Sequence, residues 1–209
     1  MTTVKICGIT NLDDALLAVK FGAGQLGFNF YARSPRYILP ELARPIITDL
    51  PENVSIVGVF VNETIERIIE TAKIARLDAI QLHGDEDLNF ADDLSVRLGI
   101  GVIKAFRVTP NFRAEDAVEY NAHAILLDGY SPKERGGTGD TFDWEIAQRV
   151  SAVVPVLYLA GGLTPENVGD AIRKVGPFAV DVCSRIESSP GKKDPKKVEA
   201  FIKAVKETI

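Results

Sequence analysis

The sequence predicts a single-domain (β/α)8 (TIM) barrel over residues 1–209, an α/β fold in which eight parallel strands alternate with eight helices. Three observations support this fold class. Eight short apolar runs recur along the chain, amphipathic segments separate them, and no change in composition marks a domain boundary. A doubly wound open sheet is the alternative, but the regular alternation of eight units favours a closed barrel.

Several of the predicted strands are apolar on both faces, as is expected of parallel strands that are covered on both sides. The chain has 209 residues, which lies at the low end of the lengths that such barrels span. The strands are predicted over residues 4–9, 25–30, 55–61, 78–84, 101–108, 123–129, 155–162 and 177–184.

Amphipathic segments with start and stop signals lie between these strands. Thr10 is a candidate N-cap for the first of them, which closes at Gly22. Pro165 follows Thr164 at a predicted first helical turn, a favoured position for proline, whereas Pro45 weakens the second helix. The helices are predicted within residues 10–22, 40–50, 62–75, 86–99, 111–122, 142–153, 164–176 and 194–209.

Composition excludes several functional classes. A net charge of −5 and a pI near 5.2 argue against nucleic-acid binding. The sequence has neither a long apolar run nor the pattern of a signal peptide, and two cysteines are too few for a disulfide scaffold. We therefore expect a cytoplasmic protein with free thiols and no membrane partner, although an anionic small substrate remains compatible with a locally positive pocket.

Polar and glycine residues gather at the predicted carboxyl ends of the strands, where barrel enzymes place their active sites. This convergence favours an enzyme. The residues concerned are Cys7, Asn29, Asn62, His83, Arg107, Asp128, Gly161, Gly162, Asp181, Cys183 and Ser184.

Cys7 and Asp128 are candidates for a base and an acid. Side chains alternate along a strand, so Lys5 and Cys7 share one face, and a nearby ammonium lowers the pKa of a thiol. Asp128 closes an apolar strand in a similar way. Each also has a simpler interpretation, since Cys7 could be a small buried apolar residue and Asp128 could cap a turn.

Two glycine-rich segments follow the sixth and seventh strands. In "AGGLTPEN", Gly161 and Gly162 precede a capped helix, which leaves backbone N–H groups for an anion, although a tight turn would need the same residues. The loop 129–143 could close over a substrate or be only a mobile connection. His83 and His123 are the only histidines and match no metal-binding spacing, so no metal site is predicted.

Seven motifs, in the same order along the chain, resemble those of the phosphoribosylanthranilate isomerase family. The resemblance extends from the first strand to the last helix. The motifs are "KICGIT" at 5–10, "SPRYI" at 34–38, "VGVFVN" at 57–62, "QLHG" at 81–84, "GGTGDTFDW" at 136–144, "LAGGLTPENV" at 159–168 and "SPGKKD" at 189–194.

This resemblance implies a cofactor-free barrel enzyme of tryptophan biosynthesis. Its reaction would be the Amadori rearrangement of N-(5-phosphoribosyl)anthranilate to 1-(o-carboxyphenylamino)-1-deoxyribulose 5-phosphate. By the same resemblance Asp128 is the general acid, Cys7 is the general base, and Arg36 pairs with the anthranilate carboxylate. Gly161 and Gly162 would hold the phosphate together with the start of the loop after strand eight.

The rest of the site is expected on the phosphate and ribose side of the substrate, from His83, Asp181, Cys183, Ser184 and Arg185. The family usually reads "DVSSGVE" where this chain reads "DVCSRIE", so Cys183 replaces a serine and Arg185 replaces a glycine. Arg185 could contact the phosphate or crowd the site and raise KM. We expect weakened or altered phosphate binding rather than loss of the reaction.

The neighbourhood of Cys7 gives three further expectations. Strands one and eight are neighbours in a closed barrel, so Asp181 is expected to neutralise Lys5, one layer deeper than Cys7. Gly8 is expected to leave room beside Cys7. Oxidation could link Cys7 to Cys183, although the geometry between neighbouring strands often forbids a disulfide.

Two other functions remain open. One is another phosphosugar barrel, such as an indole-glycerol-phosphate synthase or an epimerase, which "KICGIT" and "SPRYI" disfavour. A synthase would need further lysine and glutamate groups at the strand ends, and Lys104 and Glu187 support this only weakly. A non-catalytic binder of phosphoribosyl ligands could have lost turnover through changes such as Arg185. In either case the partner is a small phosphoribosyl molecule and the chain is a monomer or a homodimer.

Overall fold

The computed structural model describes residues 2–109, 111–120, 122–129 and 143–208. Eight parallel strands form a closed barrel in which each strand pairs with the next and the eighth pairs with the first, which confirms the predicted fold class. The strands are Thr3–Cys7 (β1), Gln25–Asn29 (β2), Ser55–Phe60 (β3), Ala79–Leu82 (β4), Gly101–Val108 (β5), Ala124–Gly129 (β6), Leu157–Leu159 (β7) and Ala179–Val182 (β8).

A helix follows each strand, and most adjacent helices pack against each other around the barrel. The apolar faces of helices and strands form one extensive core between the two layers. The helices are Leu12–Phe21 (α1), Pro40–Thr48 (α2), Ile65–Ala75 (α3), Leu88–Leu98 (α4), Ala114–Glu119 (α5), Trp144–Ser151 (α6), Val168–Val175 (α7) and Pro195–Lys206 (α8).

The starts of two helices differ from the prediction. Asn11 caps α1 by accepting a hydrogen bond from the backbone N–H of Asp14, while the hydroxyl of the predicted cap, Thr10, donates to the carbonyl of Gly191. Likewise α7 begins after Asn167, whose side-chain oxygen accepts from the N–H of Thr164 and stabilises the preceding turn. At α1 the asparagine takes the capping role expected of the threonine, whereas at α7 the asparagine side chain bonds the turn before the helix.

Helix α2 continues through Pro45 rather than being interrupted there. A proline removes the hydrogen bond to the carbonyl four residues earlier, which here belongs to Glu41. Both residues are exposed, so water can satisfy that carbonyl and the helix tolerates the loss.

Charged side chains cross the barrel interior. Lys5 on β1 is fully buried (0% exposed), and its ammonium lies 2.8 Å from Asp181 on β8 and 2.9 Å from Gln81 on β4. The β1–β8 register pairs Lys5 directly with Asp181. The predicted Lys5–Asp181 pair is thus confirmed, and the bond to Gln81 links opposite sides of the barrel.

The segment after β8 lies against the carboxyl ends of β1 and β8. A 3₁₀-helix, Ser184–Ile186, leads into a two-stranded antiparallel sheet of Glu187–Ser189 (β9) and Lys192–Lys193 (β10). The sequence does not predict this sheet, whose strands are too short to show a periodic pattern. Among the described residues, no helix combines the length and the apolarity needed to cross a membrane.

Candidate active site

The structure brings the predicted site residues together at the carboxyl ends of the strands. One cavity is lined by seven of them: Asp128, Gly161, Gly162, Asp181, Cys183, Ser184 and Arg185. The other three border this group. Cys7 lies beside Cys183, His83 lies 3.5 Å from Asp128, and Arg36 lies against Cys183 in the space beside Gly8.

Cys7 at the end of β1 and Cys183 just after β8 form a coupled thiol pair. Hydrogen bonding to Cys183 and burial raise the pKa of Cys7 well above its usual value, while the charge of Lys5 lowers it by less. Lys5 lowers the pKa of Cys7 as expected from the sequence, but Cys183 and burial outweigh the ammonium.

Cys183 has the opposite shift. The hydrogen bond from Cys7, together with the positive charges of Lys193 and Arg36, lowers the pKa of Cys183 to about 7 despite burial. Lys193 Nζ lies 4.0 Å from the Cys183 sulfur. Cys183 is therefore the member of the pair that ionises more readily, and Cys7 the member that holds its proton more tightly.

Gly8 makes room for Arg36 and Cys183 rather than only for Cys7. Its φ is +76°, and a Cβ atom there would lie 2.7 Å from Cδ of Arg36 and 2.9 Å from the sulfur of Cys183. A larger residue at this position would therefore displace Arg36 and Cys183 and disturb the contact between Cys183 and Cys7. Both cysteines are free in the structure, so the disulfide considered from the sequence is not formed in it.

Arg36 forms a two-pronged ion pair with Glu187. Its Nε lies 2.9 Å from Oε1 and its Nη2 lies 2.8 Å from Oε2 of that carboxylate. Burial alone would raise the pKa of Glu187, but the bond from Arg36 and the charge of Lys193 lower it overall. Glu187 thereby fixes the orientation of Arg36 beside the thiol pair.

Glu187 and Lys193 are site residues that sequence reasoning missed. The Lys193 ammonium is buried and donates to the carbonyl of Cys7 at 2.6 Å and to Glu187 at 2.9 Å. Lys193 lies in the motif "SPGKKD", and this motif is the sequence feature that could have identified Lys193 as a site residue. The pairing of Lys193 with Cys7, 186 residues away, is not visible in any local pattern.

Gly161 and Gly162 both have left-handed backbone, with φ of +81° and +64°. Backbone N–H groups exposed in a turn of this kind favour anion binding. A Cβ on Gly161 would lie 2.9 Å from Cα of Gly129 and nearer still to its nitrogen, so only glycine fits. Arg185 is exposed at the rim of the same cavity.

Two other predictions concern a metal and the glycine-rich loop. Within the described ranges, no cluster of three or more histidine, cysteine or acidic residues is arranged to hold a metal ion. Residues 130–142 of the loop lie outside the described residues, as do residues 136–142 of "GGTGDTFDW".

Comparisons with known proteins give a consistent result. A family model described as N-(5'-phosphoribosyl)anthranilate (PRA) isomerase matches residues 4–204. The chain is 50% identical over 206 residues to the N-(5'-phosphoribosyl)anthranilate isomerase of Geotalea uraniireducens, covering 99% of each chain. It is also 49% identical to the enzyme of the same name from Thermotoga maritima over 99% of each chain.

Solved structures agree with these relatives. Phosphoribosyl anthranilate isomerase from Thermotoga maritima superposes with a TM-score of 0.93 at 47% identity, covering 99% of this chain and all of that one. A structure of the isomerase in complex with reduced 1-(o-carboxyphenylamino)-1-deoxyribulose 5-phosphate gives a TM-score of 0.89 at 46% identity, with 99% and 100% covered. The chain belongs to the N-(5'-phosphoribosyl)anthranilate isomerase family.

Proposed function

We propose that this isomerase converts N-(5-phosphoribosyl)anthranilate to 1-(o-carboxyphenylamino)-1-deoxyribulose 5-phosphate, a step of tryptophan biosynthesis, with Asp128 as general acid and Cys7 as general base. The observation that carries the assignment of roles is the convergence at one mouth of the barrel. The buried carboxyl of Asp128, the sulfur-bearing Cys183 and the glycine pair line the same cavity, and Cys7 lies next to Cys183 (Asp128 is 6% and Cys7 8% exposed).

The reaction needs one proton donor and one proton acceptor. Asp128 protonates the furanose ring oxygen, the bond from that oxygen to the anomeric carbon breaks, and an iminium forms. Cys7 as thiolate then takes the proton from the adjacent carbon, which gives an enolamine, and tautomerisation yields the ketone. Because Cys183 is the member of the pair that ionises more readily, Cys7 becomes a thiolate when its proton passes along their hydrogen bond.

The remaining residues bind the two ends of the substrate. Arg36, held by Glu187 through Nε and Nη2, receives the anthranilate carboxylate through its remaining guanidinium N–H groups. Gly161 and Gly162 receive the phosphate with Ser184. Arg185 changes phosphate binding, since it places a bulky cation where the family usually has glycine.

We also propose a domain organisation, a cellular location and an oligomeric state for the chain. The chain folds as one domain over residues 1–209 and works in the cytoplasm. It is a monomer or a homodimer, which sedimentation would determine. A relative from Thermotoga maritima is described as dimeric, and monomers generated from it have been crystallised.

The test is turnover of phosphoribosylanthranilate generated in place, by the wild type and by Cys7→Ser and Asp128→Asn. Positioned acids and bases each contribute roughly 10²- to 10⁴-fold, so each variant should lose about that much kcat. Asp170→Asn, an exposed aspartate paired with Arg173, is the matched control and should keep full activity. Binding of the substrate without conversion by the wild type would instead support the non-catalytic alternative.

A further inference from the structure

His83 presents a buried nitrogen to the general acid. Its Nε2 has no hydrogen-bond partner among the described residues and lies 3.5 Å from Oδ2 of Asp128. The side chain is only 10% exposed. Its other ring nitrogen, Nδ1, lies 2.9 Å from Nε2 of Gln81. Which nitrogen carries the proton therefore decides what His83 can do for Asp128.

Gln81 settles that choice. Its Oε1 lies 2.9 Å from the ammonium of Lys5, which can only donate, so the amide oxygen must face Lys5. The amide NH₂ then faces His83 and donates to Nδ1, which must be an unprotonated acceptor. A neutral imidazole with Nδ1 unprotonated carries its hydrogen on Nε2.

Lys5 is fixed in turn by Asp181, at 2.8 Å. The hydrogen bonds therefore run from Asp181 on β8 through Lys5 and Gln81 to His83 at the end of β4. Neutralising Lys5 requires only the carboxylate of Asp181. The extension through Gln81 is thus not explained by charge neutralisation, whereas it does explain the orientation of the imidazole.

We propose that Gln81, held by Lys5, keeps His83 as a neutral Nε2–H donor that stabilises the Asp128 carboxylate as this acid gives up its proton. The second half of this inference rests on the proposed function. Hydrogen bonds to ionised groups are stronger than neutral ones, so the 3.5 Å contact becomes a hydrogen bond as charge develops on Asp128. Gln81 is therefore a positioning residue for the general acid.

The tautomer can be measured without any activity. The chain has two histidines, so ¹⁵N-histidine labelling gives two imidazole signatures, and His123→Asn assigns them because His123 is the other, exposed one. We expect His83 to show an unprotonated Nδ1 and a protonated Nε2 at neutral pH. An Nδ1–H tautomer or an imidazolium would overturn the proposal.

Two variants connect the tautomer to catalysis. Gln81→Glu places an acceptor beside Nδ1 and should protonate that nitrogen, while Gln81→Met removes the constraint. We expect kcat to fall roughly 10- to 100-fold in both, with KM nearly unchanged, because the lost bond acts on the transition state. Gln25→Met is the matched control, since this other interior glutamine bonds to Tyr158 instead.

The outcomes separate this inference from the proposed function. If the tautomer changes in Gln81→Glu but kcat does not, or if Gln25→Met has the same effect as Gln81→Met, the positioning role is wrong. If the wild type shows no turnover, the proposed function fails and the contribution to Asp128 fails with it, while the spectrum alone decides the tautomer.

Discussion

At the scale of single residues, Cys183 decides how the base is ionised. A serine there could donate a hydrogen bond to Cys7 but could not hold a negative charge near neutral pH. Cys183 can, because Cys7, Lys193 and Arg36 together lower its pKa to about 7. The replacement thus changes the base from one thiol to a coupled pair, whose titration belongs to both members.

We predict that Cys183→Ser moves the rise of kcat/KM to higher pH. In the wild type the pair loses its first proton near pH 7, and Cys7 can then pass its own proton to the Cys183 thiolate. In the variant Cys7 must ionise alone against the cost of burial, which raises its pKa. The measurement is kcat/KM from pH 5 to 10 for both proteins.

If the rise of kcat/KM in Cys183→Ser moves to lower pH, Cys7 and Cys183 do not share a proton as proposed. Such a shift would mean that the Cys183 charge only hinders ionisation of Cys7. Ultraviolet titration of the thiolates, in the variant and the wild type, gives the same answer independently of turnover.

At the scale of elements, the close approach of β6 and β7 shapes the proposed phosphate site. The N–H of Ala160 donates to the carbonyl of Leu127 at 2.8 Å, which draws the end of β7 against β6. Gly161 follows directly in a left-handed conformation, with the backbone of Gly129 against it. Strand pairing and the glycine conformation therefore hold the same loop.

We predict that Gly161→Ala lowers the free energy of unfolding by about 2–5 kcal/mol and raises KM. A left-handed conformation costs an alanine roughly 1–2 kcal/mol, and displacing packed backbone adds about 1–3 kcal/mol. Gly99→Ala is the matched control, since Gly99 has φ of +68° but no atom within 4 Å of the point where a Cβ would lie. Gly99→Ala should lose only the conformational contribution of roughly 1–2 kcal/mol.

Urea unfolding of both variants provides the comparison. Equal losses for the two would show that the loop relaxes around the added methyl group. KM should rise in Gly161→Ala and stay unchanged in Gly99→Ala, which lies on the far end of α4.

The elements also show what a sequence can predict. The order, number and centres of the barrel strands follow from apolar runs, but their ends do not: the seventh is predicted over 155–162 and spans Leu157–Leu159. Strand ends depend on which backbone groups find partners in the neighbouring strand. The sheet of β9 and β10 escapes prediction because its conformation depends on buried ion pairs of Glu187 with Arg36 and Lys193.

The same limit applies to the candidate site. Position at a strand end is enough to select Cys7, Asp128 and the glycine pair. The lowering of the pKa of Cys7 by Lys5 follows from the strand pattern, but the net rise does not, because it depends on a neighbour 176 residues away and on burial, neither of which a local pattern reports. The sequence shows Gln81 only as sharing a face with His83, and its role depends on the contact with Lys5 across the barrel.

At the scale of the whole molecule, the barrel closes on a buried ion pair. The first and last strands meet with Lys5 opposite Asp181, and the ammonium also reaches β4 through Gln81. Opposite charges in a dry interior stabilise a fold only while both are present, because an unpaired buried charge is costly. The pair therefore favours the one register in which β1 and β8 bring the charges together.

We predict that Lys5→Met lowers the free energy of unfolding by about 3–5 kcal/mol, because it leaves the Asp181 carboxylate buried and unpaired. Adding Asp181→Asn should restore part of this loss, since the amide is neutral. Arg173→Gln breaks the exposed pair with Asp170 and should cost less than about 1 kcal/mol. Urea unfolding measures all three, and a double variant as unstable as Lys5→Met would show that the ammonium stabilises closure through Gln81 rather than through Asp181.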